Sequence, residues 1–151
     1  MKLGDMAAEF ILHDQTGKAH SLKDYRGRWV VLYFYPKDDT PGCRTEACAF
    51  RDQRSVFEGL EVVVLGVSTD DQRSHQRFAE KFELGFPILS DVEGRVAQSY
   101  GSLFRLWPFI FAKRQTFIID PAGKIAAIYR KVDAKNHSLH IVEELQRVMQ
   151  K

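Results

Sequence analysis

The chain has 151 residues, of which 44% are hydrophobic and 28% charged, with a formal net charge of +2. A chain of this length can bury roughly two-thirds of its unfolded surface without a disulfide or metal staple, so residues 1–151 are expected to form one domain. Lys and Arg are spread along the chain, which argues against a nucleic-acid partner. No apolar run approaches the ~18 residues that span a bilayer, and "KLGDMAAEF" after Met1 has no signal-like apolar run, so the reading is cytoplasmic with no membrane partner.

In chain order, "EFIL" (9–12) and "AHSL" (19–22) flank a turn at Thr16-Gly17 and predict a hairpin. "SLKDYRG" (21–27) fits one helical turn ended by Gly27. "RWVVLYFY" (28–35) and "LEVVVLGVS" (60–68) are continuous apolar runs rich in β-branched and aromatic residues, which suits strands buried on both faces. Between them, residues 42–58 have helical spacing, with Ala47, Phe50 and Phe57 as expected core contacts. A polar helix is expected over 70–84, a short strand over 86–91 and a helix over 91–101 capped by Asp91. Residues 115–132 read as strand, turn and strand. The chain closes with an amphipathic helix over 137–150 that carries Leu139, Val142, Leu145 and Met149 on one face. Strand–helix–strand alternation implies a parallel pair with a right-handed crossover, and the late hairpin adds antiparallel strands. The expected fold is therefore α/β: a mixed central sheet with helices on both faces and an N-terminal hairpin extension. Active sites of such sheets lie at the carboxyl ends of the strands, where the segment after Tyr35 falls.

That segment, "YFYPKDDTPGCRTEACAF" (33–50), holds both cysteines of the chain. Cys43 opens a helix after a turn built from Pro36, Pro41 and Gly42. Unpaired N–H groups in a first helical turn carry partial positive charge and favour a thiolate there. Arg44 could add to this, whereas Asp38 and Asp39 oppose it unless they point to solvent. Thr40 is placed for its hydroxyl to reach the sulfur or a ligand on it. Read alone, Cys43 is either a small buried hydrophobe or an activated nucleophile, and its place at a Pro/Gly turn favours the second. In an intact helix, Cα atoms five residues apart are ~8.6 Å from each other. A disulfide needs less than ~7 Å. Cys43 and Cys48 can then join only if the helix unwinds; position 48 alone is equally consistent with an inert core thiol.

"FYPKDDTPGCRTEACAFRD" (34–52) resembles the active-site segment of the peroxiredoxins, most closely the bacterioferritin comigratory protein or Q-type group. Pro36, Thr40 and Cys43 match the family's Pro-x-x-x-Thr-x-x-Cys pattern, and Glu46-Ala47-Cys48 continues it. "VLGVSTD" (64–70), "FPILSD" (86–91) and "RQTFIIDPAGKI" (114–125) extend the resemblance over nearly the whole chain. It implies a thioredoxin-like fold and a thiol peroxidase acting on hydrogen peroxide and organic hydroperoxides. Cys43 is then the peroxidatic nucleophile and Cys48 the resolving cysteine. Thr40 and Arg114 become donors to sulfur and peroxide, Pro36 lacks an N–H that would compete, and Glu46 orients the arginine. No cofactor or metal is implied. The expected partners are a hydroperoxide and thioredoxin or glutaredoxin as reductant, and the expected state is a monomer or weak homodimer.

The sequence departs from the family at Ala7-Ala8, where Ala-Pro is common, and at Arg44, where Thr is common. "GSLFRLWPFIFAK" (101–113) is unusually aromatic; core packing, an apolar collar at the active site and a dimer contact all remain open. His137 and His140 are expected at the surface. Two rival functions use the same thiolate. A thiol–disulfide oxidoreductase would usually carry Cys-x-x-Cys, and a non-enzymatic redox sensor would not turn over.

Overall fold

The structure, a computed structural model, describes residues 1–150. Its centre is β3 (Trp29–Phe34), flanked by β4 (Val62–Ser68) in parallel and β8 (Gln115–Ile119) in antiparallel register. β5 (Ile88–Ser90) extends the parallel side, and β9 (Ile125–Tyr129) extends the antiparallel side. The N-terminal hairpin of β1 (Ile11–His13) and β2 (Ala19–Ser21) joins through His13 opposite Ser90. The seven-stranded order is β2-β1-β5-β4-β3-β8-β9. The mixed sheet and hairpin extension agree with the sequence reading.

Alternation along β3 divides the core. Val31 and Tyr33 face one side, with α1 (Pro41–Asp52), α2 (Arg54–Gly59), α3 (Gln72–Phe82) and α5 (His137–Met149) packed there through Ala47, Phe57, Phe78 and Ile141. Val30, Leu32 and Phe34 face the other, against Leu22, Ala97 of α4 (Arg95–Ser99) and Tyr100. Every residue from Val30 to Tyr35 is buried, as expected of a strand covered on both faces. Tyr33 stacks on Phe50 of α1 with centroids 4.6 Å apart. Such a pair adds about 0.5–1.5 kcal/mol beyond area burial. Gly66 makes room for it: a Cβ there would stand 2.9 Å from the Tyr33 ring.

Several expectations need correction. The helix over 42–58 is two helices, broken at Gln53. The helix after Asp91 starts only at Arg95, and Asp91 reaches forward to accept from the N–H groups of Val96 and Ala97. On α5, Leu145 is buried and Val142 and Met149 pack against the same core as expected, but Leu139 is exposed, and His137, Ser138 and Ile141 are buried instead. His137 is thus a core residue, its Nε2 2.7 Å from Thr116 Oγ1, and burial lowers its pKa to about 4. Finally, residues 103–112 form a separate hairpin, β6 (Leu103–Leu106) and β7 (Phe109–Ala112), whose apolar residues lie mostly at the surface. Ala112 and in part Leu103 join the core, but plain core packing does not account for Phe104, Leu106, Trp107 or Phe109.

Candidate active site

β3 ends in a tight turn before α1. Tyr35 N–H still bonds to Val67 of β4, and half-buried Pro36 then ends the ladder because it has no N–H to offer. Asp38 is buried, not solvent-facing. Its carboxylate accepts from Tyr35 Oη (2.7 Å) and Ser74 Oγ (2.8 Å) and lies 2.7 Å from His75 Nδ1. Asp70 Oδ2 in turn accepts from Asp38 N–H (2.8 Å) and Ser68 Oγ (2.7 Å), and His75 Nε2 faces the Leu89 carbonyl at 2.9 Å. The facing atoms of Asp38, Asp70 and His75 are therefore engaged within the protein. This network clamps the turn onto α3 and β5. Nothing in the sequence around Asp38 marked it as a buried anchor.

Asp39 takes a left-handed backbone (φ 56°), which a short acidic residue tolerates. Its carboxylate pairs with Lys81 Nζ (2.8 Å) and Arg44 Nε (3.1 Å), and Lys81 first, then Arg44, holds it below its usual pKa. Thr40 is the N-cap of α1 in extended conformation, and Pro41 fills the first helical position. The Thr40 side chain does not cap the helix. Its hydroxyl donates to the Lys37 carbonyl at 2.8 Å, so its single proton is directed away from Cys43. In this structure the hydroxyl is therefore turned to Lys37 and not to the sulfur.

Cys43 sits in the first turn of α1 and is only 1% exposed. Arg114 Nη2 donates to its Sγ at 3.1 Å, and Arg114 Nη1 donates to Glu46 Oε1 at 2.8 Å. One guanidinium thus joins two side chains one helical turn apart. Register explains its arrival: Gln115 lies opposite Phe34, so Arg114 stands just before β8 at the carboxyl end of β3. Gly42 keeps the approach open, because a Cβ there would stand 2.9 Å from Arg114 Nη2. Burial works against the arginine's charge, but Cys43 and Glu46 outweigh it and raise its pKa further.

Glu46 is fully buried, and burial raises its pKa to about 7 against the opposing pull of Arg114. Its Oε2 has no hydrogen-bond partner among the described residues, nor has the buried Tyr33 hydroxyl. Tyr33 is pushed well above its usual pKa by burial, then by Glu46 and Cys43. It forms part of the site floor, which sequence reasoning missed; its apolar strand pattern gave no sign of it. Cys48 is half-buried farther along the same unbroken helix, and both cysteines are free thiols. Of the residues singled out in the sequence, Cys43, Glu46 and Arg114 come together. Pro36 and Thr40 shape the turn beside them, and Cys48 stands apart.

Comparison with known proteins agrees with this geometry. The AhpC/TSA family matches residues 3–128. The chain is 38% identical to peroxiredoxin Bcp of Bacillus subtilis over all of its own length and 99% of that protein. This chain belongs to the AhpC/TSA family. It is 42% identical to a putative peroxiredoxin Bcp of Coxiella burnetii, with 96% and 99% of the two chains covered. Among solved structures, peroxidoxin BcpB of Mycobacterium tuberculosis superposes with a TM-score of 0.91 at 36% identity, covering 98% of each chain. A cysteine-to-serine mutant of PrxQ from Xylella fastidiosa gives 0.92 at 32%, covering 99% and 98%. The chain is accordingly a peroxiredoxin of the Bcp/Q type on a thioredoxin-like fold, a thiol-dependent peroxidase.

Proposed function

We propose that Cys43 is the peroxidatic cysteine of this peroxiredoxin and Cys48 its resolving cysteine. The observation that carries the reading is the Arg114 guanidinium, 3.1 Å from Cys43 Sγ and 2.8 Å from Glu46 Oε1 at the start of α1. The Cys43 thiolate attacks one oxygen of the hydroperoxide. The O–O bond breaks, the other oxygen leaves with a proton as water or alcohol, and the sulfur becomes a sulfenic acid. Negative charge moves from sulfur to the departing oxygen. Arg114 and the uncapped N–H groups of the first turn of α1 are placed to follow that charge. Pro36 and Thr40 fix the turn, and the Thr40 hydroxyl is free to swing from Lys37 toward a bound peroxide oxygen.

The Cys48 thiol then attacks the sulfenic sulfur, an S–S bond forms and water leaves. For this α1 must open, since an intact helix keeps the two Cα atoms ~8.6 Å apart. A dithiol of the thioredoxin type reduces the disulfide and restores both thiols. No bound cofactor is needed for any of these steps. We further propose that residues 1–151 act as one domain, as a monomer or weak homodimer in the cytoplasm, where two reactive thiols stay reduced.

Mass spectrometry after one equivalent of hydrogen peroxide tests this. The expected result is a loss of two hydrogens with no shift to dimer, and peroxide turnover with thioredoxin, thioredoxin reductase and NADPH. Cys43→Ser should abolish both. Cys48→Ser should still be oxidised once but form no intramolecular disulfide; if it recycled normally, Cys48 would not be the resolving residue.

A further inference from the structure

The β6–β7 hairpin has a side-chain pattern that the peroxidase reaction does not use. Paired residues of an antiparallel ribbon share a face. Phe104 stands opposite Phe111 and Leu106 opposite Phe109, so these four apolar side chains line one face. The other face carries Leu103 and Ile110, which pack over Gly94, and Ile110 also accepts a hydrogen bond from Thr69. The ribbon is therefore anchored by one face and leaves the apolar face outward. Exposure rises toward its end: Phe104 is 47%, Leu106 61% and Trp107 92% exposed, and Phe109 is 62%.

The charge within the hairpin's own segment has one sign. Residues 94–119 contain no Asp or Glu, but they contain Arg95, Arg105, Lys113 and Arg114. Arg95 is neutralised by Glu93, and Arg114 is committed to Cys43 and Glu46, which leaves Arg105, on the Ile110 face next to the tip, and Lys113, just past Ala112, as the hairpin's exposed cations.

We infer that the β6–β7 hairpin docks on the surface of an anionic lipid bilayer, with Trp107 and its apolar neighbours in the interface and Arg105 and Lys113 at the headgroups. Tryptophan favours the headgroup level, and exposed apolar area flanked by cations binds anionic membranes reversibly. A second copy of the chain fits less well. A two-fold contact would bring this face against itself, and the exposed Lys113 at its edge would find no carboxylate from residues 94–119 of the other copy. The sequence expectation of no membrane partner rested on the lack of a spanning run, which excludes crossing and not surface docking. β7 ends two residues before Arg114, so a docked hairpin would hold the sulfur-bearing end of the sheet toward the lipid. The inference does not depend on the roles given to Cys43 and Cys48.

The test uses Trp29→Phe, which leaves Trp107 as the sole tryptophan. The protein is sedimented with phosphatidylcholine vesicles, with and without phosphatidylglycerol, while Trp107 emission is recorded. Two exposed cations at about fivefold each predict on the order of thirtyfold stronger partition to the anionic vesicles. A blue-shifted emission reversed by salt is also expected. Leu106→Ser with Phe109→Ser should lower the partition at least tenfold while leaving the circular dichroism and soluble-peroxide activity unchanged. Equal partition to both vesicles, or none, overturns the inference. So does an unshifted emission accompanied by a concentration-dependent doubling of mass, which would assign the face to a second copy. Displacement from vesicles by a soluble acidic protein that covers Trp107 more tightly would likewise assign it to a protein partner.

Discussion

At the scale of single residues, the site depends on one guanidinium reaching one sulfur. Arg114→Lys keeps the charge but loses the planar fork that joins Cys43 and Glu46. Arg114→Ala should slow Cys43 oxidation by about 10²–10³-fold, the usual loss when a transition-state donor is removed, and the lysine variant should fall between it and wild type. Stopped-flow fluorescence during a single turnover measures this; a loss under tenfold for the alanine variant would remove Arg114 from the reacting centre. Gly42→Ala is a subtler probe. Its Cβ would stand 2.9 Å from Arg114 Nη2, yet alanine is the better helix former by about 1 kcal/mol. We expect slower oxidation with unchanged or higher stability, a split that general damage to the fold does not produce. The sequence made Cys43, Glu46 and Arg114 legible because their chemistry requires particular residue types at fixed places in the motif. It did not reveal the Thr40 hydroxyl's bond to Lys37, since which acceptor a rotatable hydroxyl selects depends on the closed turn.

At the scale of elements, α1 must be both a folded platform and a segment that opens. Glu46 lies between the two cysteines, fully buried, with one oxygen unpartnered among the described residues. Its folded pKa is about 7 against a reference of 4.5, chiefly through burial. The sign follows from linkage. Below pH 4.5 the group is protonated whether α1 is wound or open and contributes nothing. Between pH 4.5 and 7 the open segment releases the proton first, so rising pH favours opening, and above 7 the effect is complete. Arg114, Tyr33 and Cys43 face the same carboxyl, so Glu46→Gln is the control that keeps its shape and removes its titration. Amide hydrogen exchange in α1, corrected for intrinsic pH dependence, should lose protection from pH 5 to 7.5 in the reduced protein and stay level in Glu46→Gln. Equal slopes in both would mean that another group governs the opening. Most elements were readable from apolar runs and period. The break at Gln53 was not, because residues 42–58 keep helical spacing across it and only the packing of α2 beneath β4 turns the chain. The place of residues 103–112 stays open in the sequence for a related reason: an aromatic run looks the same whether it faces core or water.

At the scale of the whole molecule, two buried titratable groups on the same face of the sheet act in opposite directions. His137 could not be recognised as buried from its polar neighbours on α5; Thr116 of β8 supplies the partner that makes a core imidazole tolerable. Its pKa falls from 6.5 to about 4, mainly through burial. The unfolded chain therefore takes up a proton at His137 first as pH drops, and stability is lost between pH 6.5 and 4. Glu46 does the reverse: its folded form holds the proton longer, and stability is lost as pH rises from 4.5 to 7. Each shift corresponds to an effect on the order of 3 kcal/mol. In the shared window from pH 4.5 to 6.5 the two slopes oppose each other, and their joint contribution should be nearly flat. Single substitutions should separate them, because other titrating groups are common to all the proteins compared. In urea titrations across that window, Glu46→Gln should become more stable relative to wild type as pH rises. His137→Gln should become less so. If both differences stay constant with pH, neither group titrates as its burial requires, and the opposition between them is absent.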